Sequence, residues 1–134
     1  MQIIRDGYAI RLQAQFADIL QEVVDANEID VAEGGICLKF RDPDYGPERG
    51  GFHPVEIAIG PDGAFLYIND FAYVGTGLFA ELAKELDFDC LQGVFETMGR
   101  TFPLARGNEL FQLWQSNFCD YYRSGVYVVE TSRQ

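Results

Sequence analysis

Histidine, cysteine and serine carry much of the nucleophilic and metal chemistry of proteins, and this sequence offers few of them. His53 is its only histidine, which excludes any site that needs two. Cys37, Cys90 and Cys119 have no C-x-x-C spacing and lie in apolar-patterned segments, which predicts reduced thiols in the core. We therefore expect no metal site and no cofactor.

Nucleophilic catalysis also has little support. No serine stands in a G-x-S-x-G turn, although the chain contains Ser116, Ser124 and Ser132. A dyad of Cys37 or Cys90 with His53 stays open, because spacing along the chain does not decide which side chains meet in space. Core packing is the commoner role for such cysteines.

One segment groups several ionisable side chains. Residues 41–54 contain three prolines and three glycines, so they cannot continue a strand, and we expect a long surface loop. Its members that could act in acid–base chemistry are Asp42, Asp44, Glu48, Arg49 and His53. A small enzyme that uses this Arg41–His53 loop is one hypothesis for function.

The elements that must position these residues follow from hydrophobic periodicity. The pattern predicts helices over residues 8–26 and from an N-cap at Asn108 to Gly125. It predicts strands at residues 36–40, 55–59, 65–68, 80–91, 94–98 and 126–130. We expect a single domain over residues 1–134, of class α+β, with a twisted antiparallel sheet on which the N-terminal and C-terminal helices pack.

Charge separates several function classes. Ten basic against 21 acidic residues give a net charge of −11, which disfavours direct nucleic-acid binding and docking on an anionic membrane. The sequence shows no apolar run that could span a bilayer and no signal peptide at its start, so we expect a soluble, cytoplasmic protein.

Acidic residues concentrate in one predicted strand. Residues 61–91 hold six acidic residues and one basic residue. Strand alternation would place four carboxylates on one face, those of Glu81, Glu85, Asp87 and Asp89. Two interpretations stay open: a solvated face that keeps the protein soluble, or a docking face for a basic protein partner.

The C-terminal 43 residues carry no net charge and are rich in aromatic side chains. The aromatic residues are Phe95, Phe102, Phe111, Trp114, Phe118, Tyr121, Tyr122 and Tyr127. They line the core of a monomer, or some of them form a homo-oligomer contact where acidic chains meet with least repulsion. Either alternative buries Trp114.

Parts of the sequence resemble a known family. The segments G-F-H-P-V-E-I and L-W-Q-S-N-F-C, together with residues 41–43, 67–75, 85–89 and 125–127, are similar to a small family of uncharacterised gammaproteobacterial proteins found largely on genomic islands. The resemblance implies a fold like that of an acidic mitochondrial matrix protein that also binds a complement component and forms a ring-shaped trimer. It implies no catalytic residues.

Two further functions remain beside the small enzyme. The first is a non-catalytic acidic interaction module, and the second is a nucleic-acid mimic that inhibits a host DNA-binding enzyme. A concave pocket around His53 with a carboxylate or thiol in reach would favour the enzyme, whereas a convex acidic sheet would favour the module.

Overall fold

The computed structural model describes residues 1–27, 34–75 and 77–134. Within these ranges the elements are α1 Ala14–Ala26, β1 Ile36–Arg41, β2 Val55–Ile59, β3 Phe65–Val74, β4 Glu81–Asp89, β5 Val94–Thr97, β6 Arg100–Pro103, α2 Asn108–Arg123 and β7 Val128–Arg133. In the same ranges, neither helix has the length and apolar character needed to cross a membrane.

The seven strands form one antiparallel sheet, in the order β6-β5-β4-β3-β2-β1-β7. Strands β1 to β6 follow one another as neighbours, as short connections favour. After α2 the chain returns to the opposite edge, where β7 pairs with β1. The predicted α+β class with an antiparallel sheet and two terminal helices is confirmed.

Strand register defines two faces of this sheet, because residues directly opposite one another point the same way. The inner face, on which both helices pack, carries a row of core residues: Leu38, Ile57, Ile68, Phe88 and Phe95. The ring of Phe16 on α1 lies 5.8 Å from that of Phe111 on α2, which in turn lies 5.0 Å from Phe88. Aromatic packing therefore joins both helices to the sheet.

The strands predicted at residues 55–59 and 65–68 pair with each other as the β-hairpin of β2 and β3. Its turn has Gly63 at a φ of 90°, a conformation that glycine adopts without strain. Gly60 N–H donates to the carbonyl of Ala64 at 2.8 Å and closes the turn.

The predicted start of the first helix at residue 8 is wrong, since α1 begins at Ala14. The backbone N–H groups just before Ala14 donate hydrogen bonds to side chains of α2 instead of forming a helical turn. Arg11 N–H donates to Oδ1 of Asn108, and Gln13 N–H donates to Oε1 of Gln115. These contacts, 97 and 102 residues apart in the chain, are invisible to local periodicity.

Two details of the C-terminal half also differ from the prediction. Asn108 is the first residue of α2 rather than its N-cap, because its side chain accepts the Arg11 N–H. Strand β6 was not expected. It follows a turn in which both Met98 (φ 50°) and Gly99 (φ 73°) adopt positive φ, as tight hairpin turns require.

Candidate functional site

A pocket of about 300 Å³ lies between the inner face of the sheet and α2. The loop before β2, strands β2 and β3, helix α2 and the segment before β7 all contribute to it. Its wall is mostly aromatic, and its lining residues are Gly51, Phe52, His53, Val55, Asp70, Trp114, Asn117, Phe118, Tyr121 and Tyr127.

Asp70 is the buried carboxylate of this pocket. It lies on the inner face of β3 and is 7% exposed. Its Oδ2 accepts the indole N–H of Trp114 at 2.8 Å, and its Oδ1 lies 3.0 Å from Nδ1 of His53. Burial raises the pKa of Asp70, while the contacts with Trp114 and His53 oppose that rise.

A second carboxylate reaches the same histidine nitrogen. Oε2 of Glu85 lies 3.1 Å from Nδ1 of His53. Strand β4 has a bulge there, because Leu86 pairs with Asp70 and Lys84 pairs with Phe71. Glu85 therefore has no partner opposite it, and the bulge aims its side chain at the pocket.

The predicted loop before β2 holds His53 in place. Asp42 accepts the backbone N–H of Asp44 at 2.9 Å and that of Phe52 at 3.0 Å, which ties the two ends of the loop together. The ring of Tyr45 packs 5.4 Å from the His53 ring. The other ionisable residues predicted there, Asp44, Glu48 and Arg49, are exposed and do not line the pocket.

The chemistry of the pocket follows from these groups. Among the described residues, its lining contains no serine, threonine, cysteine or lysine, so it lacks the hydroxyl, thiol and amine nucleophiles that those side chains supply. The predicted alternative of a dyad with Cys37 or Cys90 gains no support, as neither thiol lines it. A histidine with two carboxylates can transfer a proton or hold a cation.

The predicted acidic face of β4 is wrong in its geometry. Glu81 pairs with Val74, whereas Asp87 pairs with Asn69, five residues earlier on β3. Residues an odd number apart on a strand point to opposite faces, so Glu81 and Asp87 do not share one. Asp87 and Asp89 stay on the same face, and the bulge turns Glu85 to the inner side.

A different row of polar residues crosses the outer face of the sheet, the face opposite the helices. It runs through all seven strands by direct pairing, as Glu130, Lys39, Glu56, Asn69, Asp87, Glu96 and Thr101. Lys84 on the same face donates to Oδ2 of Asp87 at 2.9 Å. Burial raises the pKa of Asp87, and Lys84 opposes that rise.

Sequence reasoning missed Asp70 as a site residue. The available signal was a carboxylate just beyond the strand predicted at residues 65–68, between Asn69 and Phe71. The outer row left no such signal, because it depends on the register of seven strands.

The aromatic residues of the C-terminal 43 residues pack within the protein. None of the eight is exposed in the structure, and Trp114 is half-buried.

Solved structures share this fold over nearly the whole chain. One is the hypothetical protein VC0508 from the VSP-II pathogenicity island of Vibrio cholerae, 31% identical, with a TM-score of 0.82 over 96% of this chain and 99% of the other. Another is the conserved hypothetical protein VC1805 from pathogenicity island VPI-2 of the same species, 34% identical, with a TM-score of 0.80 over 95% and 98%.

VC1805 is described as sharing structural homology with the human P32 protein. No curated protein matches the chain. A family of unknown function matches most of the sequence, which confirms the resemblance that its segments predict. The chain belongs to the DUF2787 family of proteins of unknown function, whose sequence profile matches residues 14–132.

Proposed function

We propose that the protein is a non-catalytic interaction module that binds a basic protein partner through the outer face of its sheet. The observation that carries this proposal is the row across that face, in which four carboxylates stand in line with one cation. The carboxylates are those of Glu56, Asp87, Glu96 and Glu130, and the cation is Lys39.

Asp87 is the fifth of the seven residues of the row that crosses the outer face, and it is 8% exposed. Its Oδ2 accepts a hydrogen bond from Lys84, but its Oδ1 is buried with no hydrogen-bond partner among the described residues. A buried acceptor without a donor costs about 1–3 kcal/mol. Because this oxygen is buried, an arginine or lysine of a partner would contact the accessible carboxylates of the row, such as that of Glu130.

The charge of the whole protein supports the same partner chemistry. A net charge of −11 attracts a basic protein over a distance that salt shortens, to about 8 Å at physiological ionic strength. Association should therefore be fast at low salt and slow at high salt.

Two triple variants of equal charge test this proposal. The first, Asp87→Asn, Asp89→Asn and Glu96→Gln, neutralises the outer face. The second neutralises exposed carboxylates of α1 and serves as the control: Asp18→Asn, Glu22→Gln and Asp25→Asn. Each variant lowers the net negative charge by three.

The measurement is binding of poly-L-lysine by calorimetry in 50 mM salt, followed by capture of partners from lysate of the native host. We expect the outer-face variant to bind more weakly than the α1 variant and to lose a basic protein that the α1 variant retains. Equal binding by the two variants would mean that net charge alone attracts the polycation, and the outer face would not be the docking surface.

A small enzyme is the second candidate, because one observation favours it: His53 and Asp70 lie 3.0 Å apart in a concave pocket. A histidine oriented by a carboxylate is a general base for activating water. Turnover of p-nitrophenyl esters and phosphate esters that His53→Gln abolishes and Glu81→Gln leaves intact would support this function. Failure of the wild-type protein to hydrolyse either class counts against it.

A further inference from the structure

Three side chains that can bind metal meet beside the pocket, and each comes from a different element. His53 belongs to the loop before β2, Asp70 to β3 and Glu85 to β4. Their nearest nitrogen and oxygen atoms all lie within 4.8 Å of one another. This mixed set uses the single histidine of the chain and no cysteine.

The spacing of these atoms suits a metal ion. Nδ1 of His53 lies 3.0 Å from Oδ1 of Asp70 and 3.1 Å from Oε2 of Glu85. Bonds from Zn²⁺ to nitrogen and oxygen are about 2.0–2.2 Å, so the ligand atoms around one tetrahedral ion are about 3.3–3.6 Å apart. The three side chains can reach one ion with small rotations.

Hydrogen bonds within this cluster cannot satisfy both carboxylates, and they leave an excess of negative charge. Nδ1 of His53 carries at most one proton, yet two carboxylate oxygens approach it. The charged groups that act on Asp70 are His53 and Glu85, and no lysine or arginine of the described ranges is among them. Two carboxylates therefore face at most one positive charge, and a divalent cation would restore the balance.

Neighbouring side chains hold Asp70 and His53 in place, and the backbone of β4 positions Glu85. Trp114 donates to Oδ2 of Asp70 and leaves Oδ1 directed at the cluster, in the manner of the outer hydrogen bonds that orient metal ligands. The ring of Tyr45 packs against His53, and its hydroxyl accepts the backbone N–H of Tyr73 at 3.0 Å. The bulge in β4 aims Glu85 at the same point.

We propose that His53, Asp70 and Glu85 bind one divalent transition-metal ion, with Zn²⁺ as the ion to test first. An imidazole ligand favours Zn²⁺ over Ca²⁺ and Mg²⁺, which prefer oxygen. Three protein ligands leave a coordination position for water or a ligand from the adjacent pocket. This site lies on the inner side of the sheet, so the inference does not depend on the outer-face proposal.

The single histidine makes a direct experiment practicable. The full chain, stripped of metal with a chelator that is then removed, is titrated with ZnCl₂ while the imidazole signals are followed by NMR. Because His53 is the only histidine, its signals have no overlap. We expect them to shift and to reach their end point at one Zn²⁺ per chain, with a rise in melting temperature.

Glu85→Gln is the variant of choice, because Glu85 is half-exposed and its replacement should not unfold the protein. Glu81→Gln, on the same strand and exposed, is the matched control. Calorimetry should show Zn²⁺ affinity lower by about tenfold or more in Glu85→Gln and unchanged in Glu81→Gln. CaCl₂ should leave the His53 signals in place.

Three outcomes would overturn the inference. The first is an absence of any His53 shift at equimolar Zn²⁺. The second is binding of several weak Zn²⁺ ions without a His53 shift, which is the behaviour of surface carboxylates. The third is equal Zn²⁺ affinity in Glu85→Gln and Glu81→Gln.

Discussion

The indole N–H of Trp114 on α2 donates to Oδ2 of Asp70 on β3 at 2.8 Å, across 44 residues of sequence. This hydrogen bond joins the only tryptophan of the chain to the most buried carboxylate of the pocket. It satisfies one oxygen of Asp70 and fixes the side of the carboxylate that faces His53. Helix, sheet and candidate site are thus coupled through one contact.

Replacement of Trp114 by phenylalanine should show the strength of this contact. The ring contacts with Phe16 and Phe118 can be kept in part, but Oδ2 of Asp70 loses its donor. We expect the free energy of unfolding to fall by about 1–3 kcal/mol, as measured by urea denaturation followed by circular dichroism. Leu113→Ala, at a 62% exposed position of the same helix, should change it by no more than about 0.5 kcal/mol.

Asp70 should also give the protein a characteristic pH dependence. Its pKa is raised in the folded state, chiefly by burial, so between the unfolded and folded pKa values the native state binds more protons. The contribution of Asp70 to stability is therefore full below about pH 4, the unfolded pKa, and is lost as pH rises through the folded pKa. Relative to Asp70→Asn, wild-type protein should lose stability as pH rises.

Urea denaturation from pH 3.5 to pH 8, with chelator present, measures this difference. The negative charge of Glu85 contributes to the raised pKa of Asp70, so Glu85→Gln should move the transition to lower pH. A constant stability difference between wild type and Asp70→Asn over the whole range would show that Asp70 does not titrate there.

The fold was largely accessible from the sequence, because its long elements bury one face each. The spacing of Phe16, Leu20 and Val23 on α1 and the alternation of Val55 and Ile57 on β2 are direct signals of burial. Leu113 also has an apolar side chain, yet it lies exposed on α2. Periodicity identifies a helix more surely than it identifies every member of its buried face.

The candidate site was far less accessible. His53 was a candidate as the only histidine, but Asp70 and Glu85 reach it through a strand pairing and a bulge. Strict alternation along β4 assigns Glu85 to the face of Asp87, and one extra residue reverses that assignment. Bulges depend on the partner strand, so a pattern within one segment cannot reveal them.

The cysteines should react slowly in the native protein. Burial raises the pKa of Cys119 to about 11 and that of Cys90 to about 12, and it also raises the pKa of Cys37. At pH 8 a thiol with a pKa near 11 is ionised in only about one molecule in a thousand, and the thiolate is the reactive form. Ellman's reagent should therefore label all three thiols quickly in urea and slowly in buffer. Rapid labelling of the native protein would contradict the burial of these side chains.

The loop that carries His53 should depend on the charge of Asp42. Backbone N–H donors from Phe52 and Asp44 lower the pKa of Asp42, so its ionised form stabilises the folded state. This contribution is present above the unfolded pKa of about 4 and is lost as pH falls through the folded value. At pH 7, Asp42→Ala should lower the free energy of unfolding by about 1–3 kcal/mol and shift the imidazole signals of His53.

Asp44→Ala is the matched control for this loop, because Asp44 is exposed and contributes its backbone N–H rather than its carboxylate. It should leave the stability and the His53 signals near their wild-type values. The difference in the free energy of unfolding between Asp42→Ala and wild type should also become smaller in acid, since wild-type Asp42 is then protonated and accepts weaker hydrogen bonds. A difference in the free energy of unfolding that is as large in acid as at pH 7 would mean that the side chain of Asp42 acts by packing, and that its ionised form does not hold the loop.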